Sequence, residues 1–305
     1  MRLLSFQNRM GDWRGRIGAY LTPPVREALE ALPPEAVKAA TELRLRAGQP
    51  AMVGGQAPCR LAAPPLSAGD IRAMADAMLG HAGYARQEEL RQGFVTLAGG
   101  FRAGLCGRAS VKDGRLYALQ DIAFITIRVA RAVEGAAEGL LPWLLIGGQP
   151  VSALIVSPPG LGKTTMLRDA GRALSLRGHA VAMVDERSEL AACVGGVPTL
   201  DLGPNTDVLD GCPKAEGMRL VLRAMAPRVI VTDEIGHAGD AEAVLDAARC
   251  GVAVLASAHG RDYHDLEVRP MLSALLGARV FARIAALDRI GHIGAVYGAE
   301  GESLA

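Results

Sequence analysis

Ser157-Pro-Pro-Gly-Leu-Gly-Lys-Thr-Thr165 decides how this chain is read. It follows the apolar run Ala153 to Val156 and precedes a helical run from Met166 to Leu176. A buried-type strand, a glycine-bearing loop and a helix together form the setting of a phosphate-binding loop. Backbone N–H groups from Gly160 to Thr164 can curl around a β-phosphate, and the start of the helix adds a favourable dipole. Lys163 reaches the β- and γ-phosphates, and the Thr164 hydroxyl is placed to hold Mg²⁺. The expected ATP-binding residues are therefore Ser157, Pro158, Pro159, Gly160, Leu161, Gly162, Lys163, Thr164 and Thr165. Ser157 stands where such loops usually begin with Gly. Gly160 and Gly162 still allow the backbone to approach a phosphate closely.

Downstream of residue 150 the pattern alternates strand and helix, with polar residues at the strand ends. That alternation predicts an α/β fold with a parallel-rich sheet and a site at its carboxyl edge. Val229-Ile-Val-Thr-Asp233-Glu234 reads as a buried strand that delivers two acids, 70 residues after Lys163. Asp233 is expected to hold a Mg²⁺-bound water, and Glu234 to orient or deprotonate the attacking water. Asp185-Glu186 ends the preceding strand, Val181 to Val184. Asp185 is a further candidate for the metal shell and Glu186 for polarising water, or the pair opens a helix whose dipole favours acids. Ser257-Ala-His259-Gly closes the last core strand, where a neutral His259 can read the γ-phosphate by hydrogen bonding. Lys163 is the only obvious local cation for the charge that develops on the γ-phosphate. Arg128, Arg131, Arg219 and Arg223 are candidates to supply another from a neighbouring subunit. Residues 195–217 are rich in Gly, Pro and Asp and read as a long contacting loop. Val280 to Ala286 and Ile293 to Tyr297 read as a closing hairpin.

The N-terminal part has a different grain. Residues 1–40 are helical and amphipathic, punctuated by Pro23-Pro24 and Pro33-Pro34. Thr41 to Arg46 alternates as a half-buried strand, and Ala51 to Val53 returns beside it. Ser67 with Asp70 marks a helix start. Gly93 to Leu97 and Phe101 to Gly107 read as a hairpin about Gly99-Gly100, and Ile122 to Val129 as another strand. The expected division is a smaller α+β domain at 1–135 and the nucleotide-binding domain at 136–305.

Composition narrows the classes. Half of the 305 residues are hydrophobic, 4% are aromatic and the net charge is +1. Residues 1–138 carry 18 Lys+Arg against 13 Asp+Glu, and 139–305 carry 15 against 19. No clustered basic or aromatic stripe marks a nucleic-acid groove, which argues against nucleic acid as a partner. A nucleic-acid-stimulated ATPase is the alternative that salt-sensitive stimulation would reveal. The five cysteines form no Cys-x-x-Cys pair and suit a reducing compartment. The apolar segment 139–156 is broken by Pro142, Gly147-Gly148 and Pro150, so it reads as helix, turn and strand. A cytoplasmic location, with docking on a membrane protein, is expected.

Several longer strings resemble the stage III sporulation protein AA family of endospore-forming bacteria. They are the loop 157–165, Val184-Asp-Glu-Arg-Ser-Glu189, Thr206-Asp-Val-Leu-Asp-Gly-Cys-Pro-Lys-Ala-Glu-Gly217 and Asp233-Glu-Ile-Gly236. Glu42-Leu-Arg-Leu-Arg-Ala-Gly-Gln-Pro50 and Glu89-Leu-Arg-Gln-Gly-Phe94 extend the likeness to the front half. That family in turn looks like the ATPases of type II and type IV secretion and pilus machines. The resemblance implies a RecA-like P-loop motor behind a small N-terminal domain, with ATP and Mg²⁺, assembled as a homo-oligomer, usually a hexamer. Lys163, Asp185-Glu186, Asp233-Glu234 and His259 match that family's boxes in order. Its N-terminal domains lend arginines to a neighbour's nucleotide, which favours Arg128, with Arg102 second. The resemblance also implies membrane-protein partners in the channel between mother cell and forespore. Gly236-His237-Ala238, with few acids nearby, departs from the pattern where partner contacts are expected.

Overall fold

The computed structural model describes residues 13–55, 58–80, 93–97, 101–112, 115–129, 133–193 and 195–304. By its internal contacts the chain divides into two units, Met1–Ala130 and Arg131–Ala305. Arg131, the Gly99-Gly100 turn and most of the Glu89–Phe94 string lie outside the described residues.

In the first unit, proline sets the helix starts. After α1 (Trp13–Gly18), α2 (Pro23–Glu30) and α3 (Pro34–Ala39) each begin on a proline. Its fixed φ suits a first turn that needs no N–H donor. The chain then builds β1 (Ala40–Arg46), β2 (Met52–Gly55), β3 (Cys59–Arg60), α4 (Ala68–Leu79), β4 (Phe94–Leu97), β5 (Phe101–Lys112) and β6 (Arg115–Arg128). The strands form one antiparallel sheet in the order β3-β2-β1-β6-β5-β4. Alternation decides its faces. Leu43, Leu45, Ala103, Leu105, Ile125 and Ile127 are buried in a core shared with Ile71, Met74 and Met78 of α4. The α4 start is a reciprocal cap: Asp70 N donates to Ser67 Oγ at 3.1 Å, and Ser67 N donates to Asp70 Oδ2 at 2.8 Å. β5 and β6 run on well past the expected strands as a long ribbon. Bulges interrupt it, and at Gly107 a Cβ would stand 2.5 Å from the Gln120 carbonyl.

In the second unit, α5 (Leu141–Leu144) and the short pair β7 (Leu145–Ile146) and β8 (Gln149–Pro150) lead into the strand–helix alternation. There follow β9 (Ala153–Ser157), α6 (Lys163–Leu176), β10 (Val181–Asp185), β11 (Thr206–Asp210), α7 (Lys214–Met225), β12 (Val229–Thr232), α8 (Ala238–Arg249), β13 (Ala253–His259), α9 (Tyr263–Glu267), α10 (Pro270–Gly277), β14 (Arg283–Arg289) and β15 (His292–Tyr297). Seven strands pair in the order β11-β10-β12-β13-β9-β14-β15. All neighbours are parallel except the terminal hairpin β14–β15.

Both sheet faces are covered, so the central strands are apolar along most of their length, as parallel sheets require, with polar residues gathered toward their carboxyl ends. Leu154, Val184, Ile230 and Val254 face a core built with α7, α8 and α10, while Ile155, Met183, Val231 and Leu255 face α6. Two departures from the sequence reading matter later. Part of the loop expected at 195–217 is β11, an edge strand on β10. Helix α7 starts at Lys214 rather than Met218, one turn early.

Helix α6 lies close against the sheet at Gly171, where a Cβ would stand 2.6 Å from Met183 Cε and 3.2 Å from Val231 Cγ2. Gly171→Val should therefore overpack this face and cost about 1–3 kcal/mol of stability. The measurement is the midpoint of urea unfolding, and an unchanged midpoint would contradict this packing.

Candidate nucleotide site

The carboxyl ends of β9, β10, β12 and β13 meet at one edge of the sheet, and the expected residues gather there. The loop after β9 turns on Gly160 (φ +83°) and Gly162 (φ +93°), backbone states that L side chains rarely adopt. Gly162 caps α6, whose first amides have no partner within the helix. Gly291, in the turn between β14 and β15, donates its N–H to Leu161 O at 2.9 Å and ties the loop to that hairpin.

Lys163 is the first residue of α6 and is buried. Its ammonium donates to Ser157 O at 2.8 Å, Pro158 O at 3.2 Å and Ser157 Oγ at 3.3 Å. Ser157, where a glycine is usual, is thus a fully buried residue whose hydroxyl and carbonyl both face the lysine. Burial lowers the Lys163 pKa from its ordinary value, and the charge of Glu234 partly opposes that fall.

The same ammonium lies 3.2 Å from His259 Nδ1, and His259 Nε2 lies 3.1 Å from Glu234 Oε1. An ammonium has no acceptor, so Nδ1 must offer the lone pair and Nε2 must carry the proton. Lys163 and His259 are therefore joined by a directed hydrogen bond, and the imidazole in turn lies against the Glu234 carboxylate, so the three side chains form one line of polar contacts from the 157–165 loop to the second acid. The main chain pins both ends of that line. Ile235 N donates to Ser257 O at 2.9 Å, Asp240 Oδ2 accepts from Gly236 N and His237 N at 3.0 Å each, and Arg269 donates to His259 O at 2.6 Å.

Asp233 is buried, and its Oδ1 accepts no hydrogen bond. A buried carboxylate oxygen without a donor suits the hydrated shell of a divalent cation. Among the described residues no group of three or more His, Cys, Asp or Glu is arranged to hold a metal alone. Magnesium is ordinarily held by one or two carboxylates together with substrate phosphates, so this donor set fits it. Thr164, half-buried at the second position of α6, stands beside the loop.

Asp185 differs from the expectation of a metal ligand. It is fully buried, and its two oxygens accept the amides of Glu189 (2.8 Å) and Ala191 (2.7 Å). Burial raises its pKa above the ordinary value, against those amides and the amide of Leu190. Arg168, drawn down by burial to about 10, is attracted by Asp185 and donates to Leu190 O and Glu189 O. Asp185 thus folds the 186–191 turn. Glu186 instead points to Lys214, at 3.4 Å.

Lys214 is the residue that the sequence reading assigned no part. Its ammonium lies 3.2 Å from Asp233 Oδ1 and donates to Glu234 O at 2.8 Å. Pro213 immediately before it and Glu216 in the first turn are helix-start signals that could have drawn it in. Arg128 belongs to the first unit, exposed on β6 between Glu42 of β1 and Arg102 of β5. Arg102 lies over the Phe94 ring at 3.5 Å. Arg219 is engaged by Glu242 and Asp246 of α8, at 3.4 and 3.3 Å.

The family profile described as "Sporulation stage III, protein AA" matches residues 12–304. The chain belongs to this family. It is 38% identical over 298 residues to the stage III sporulation protein AA of Bacillus subtilis (strain 168), covering 94% of this chain and 96% of that protein. Among solved structures, the ATPase DotB of Legionella pneumophila superposes with a TM-score of 0.57 at 17% identity, over 87% of this chain and 76% of that one. The pilus retraction motor PilT with bound ADP gives 0.56 at 17% identity, over 82% and 75%. The chain thus shares the α/β fold of DotB and PilT. Among the described residues no helix is long and apolar enough to cross a membrane.

Asp185→Asn would turn an amide NH₂ toward one of the two backbone donors. The variant should lose about 1–3 kcal/mol of stability, and the Glu189 and Ala191 amides should exchange faster with deuterium. Unchanged protection together with a new magnesium requirement would instead make Asp185 a metal ligand.

Proposed function

We propose that this chain binds ATP with Mg²⁺ in the 157–165 loop and hydrolyses it as a subunit of a ring-forming motor of the secretion-ATPase type. We assign its work to energising or assembling the channel between mother cell and forespore. The observation that carries the reading is the line of polar contacts Lys163–His259–Glu234, which joins the 157–165 loop to the second acid. Family membership and the shared fold support it.

The donor count suggests how substrate is sensed. Lys163 has three N–H donors, and protein acceptors already surround it. A β- or γ-phosphate oxygen gains the ammonium only as some of these bonds are given up. The bond to His259 Nδ1 is among the longer ones, at 3.2 Å, so the imidazole is released to turn its Nε2 proton toward the γ-phosphate. Glu234 then loses its histidine neighbour and accepts a proton from water. The water oxygen bonds to phosphorus, the bond to the β–γ bridging oxygen breaks, and ADP leaves with that oxygen. Magnesium, when bound, neutralises charge on the β- and γ-phosphates. Thr164 and Asp233 are the residues that would hold it.

A cleft of about 270 Å³ opens next to the loop, bounded by Trp143, Met166, Gly291 and Ile293. Its apolar lining and its position at α6 and the terminal hairpin suit the nucleotide base. Arg128 is the candidate cation from a neighbouring subunit, with Arg102 beside it on the sheet, and six copies are the expected ring. The reading includes a cytoplasmic position, docked on membrane proteins of the channel.

Glu234→Gln should leave ATP affinity almost unchanged and lower turnover by about 10²–10⁴-fold. Lys163→Ala should weaken ATP binding by roughly tenfold or more, the loss of a charged hydrogen bond. Equilibrium binding of a labelled ATP analogue and phosphate release measure the two effects, and a Glu234→Gln enzyme with normal turnover would refute the assignment. Co-purification from sporulating cells should yield a membrane protein that raises ATPase activity. A salt-sensitive rise with single-stranded DNA would favour a nucleic-acid-stimulated enzyme instead.

A further inference from the structure

The hydrolysis scheme makes no use of Lys214, a buried cation set among acids. Lys214 is one of only four lysines among the 33 basic residues of the chain. Its side chain is 7% exposed, about as buried as that of Asp233 at 8%. Its ammonium spans the ends of two neighbouring strands: Glu186 follows β10, and Asp233 and Glu234 follow β12. The contacts differ in kind. The bond to the Glu234 carbonyl is short and directed, at 2.8 Å, whereas Asp233 Oδ1 accepts no hydrogen bond although the ammonium is 3.2 Å away. Lysine and Asp233 are therefore held together by charge alone, which a second cation can replace without breaking a directed bond.

The position of Lys214 is fixed by its backbone. It is the first residue of α7, and Gly217 N closes the first turn on Pro213 O at 2.8 Å. That turn is pressed on β10, since a Cβ on Gly217 would stand 2.6 Å from Val184 Cγ1. A lysine also suits the place better than an arginine, as a compact point charge that need not claim both oxygens of one acid. A free divalent ion nearing Asp233 Oδ1 would meet an ammonium already there, and the two like charges repel. A metal that arrives on a triphosphate brings its own negative charge and escapes most of that penalty.

We infer that Lys214 is a resident counter-ion of this acid cluster. It positions Glu234 through its carbonyl, and it competes with free divalent cations for Asp233 Oδ1, so that metal enters as its complex with nucleotide. The inference rests on the reading of Asp233 as the metal-shell residue. It assigns Lys214 a positioning role and no contact with the reacting atoms.

The test is Mn²⁺ binding to the full chain, followed by the loss of free-ion signal in electron paramagnetic resonance. Wild-type protein should bind Mn²⁺ at least about tenfold more weakly alone than with ADP. Lys214→Met should tighten Mn²⁺ binding without nucleotide by about tenfold or more. Lys214→Arg should restore weak binding, and Asp233→Asn added to Lys214→Met should abolish the gain. The inference is overturned if folded Lys214→Met binds Mn²⁺ no more tightly than wild type. It is equally overturned if wild type alone binds Mn²⁺ as tightly as with ADP, a comparison that stands even if the variant fails to fold. If wild type fails to bind Mn²⁺ with ADP at all, the site reading itself falls, and this inference with it.

Discussion

A buried ammonium must be surrounded by acceptors, and the rest of the site follows from how Lys163 meets that demand. Burial penalises its charge, so the loop turns two of its own carbonyls and the Ser157 hydroxyl inward. The remaining direction leads to His259 and through it to Glu234. The acceptors come from two strand ends at the carboxyl edge of the sheet, the loop after β9 and the end of β13, so strand order and chemistry are linked. β9 and β13 are neighbours, paired with Ser157 opposite His259, and this register makes the contact possible.

The second cation obeys the same rule. Lys214 lies among carboxylates and a carbonyl, with one ion-pair partner on each of two adjacent strand ends. Two lysines therefore divide the edge between them. One serves the loop, and the other serves the acids. Between them Glu234 is held twice, by its side chain through His259 and by its carbonyl through Lys214.

The legibility of the sequence follows the range of the interactions. The phosphate loop, the β12 acids and the α4 cap are local patterns in which neighbouring residues carry the whole signal, and they stand where the pattern puts them. The apolar strands of the second unit were legible for the same reason, because burial on both faces leaves few polar positions. β11 was not. Thr206 to Asp210 has no apolar run, and pairing with β10 makes it a strand. The direction of the Asp185 side chain was equally hidden. It depends on a turn that places Ser188 (φ +54°) and Ala192 (φ +51°) in left-handed states, which no periodicity announces. Lys214 was missed because its partners are 19 to 28 residues away in the chain. The β5–β6 ribbon was underestimated because polar residues such as Arg108, Gln120 and Asp121 become strand only by facing each other.

The bond from Gly291 to Leu161 carries a further implication. The glycine-bearing loop 157–165 is tied to the last hairpin of the sheet, more than a hundred residues downstream. That hairpin also carries Ile293, one wall of the apolar cleft. The outer edge of this domain is therefore joined directly to the glycine turn. An outer edge so wired is a handle as much as a boundary.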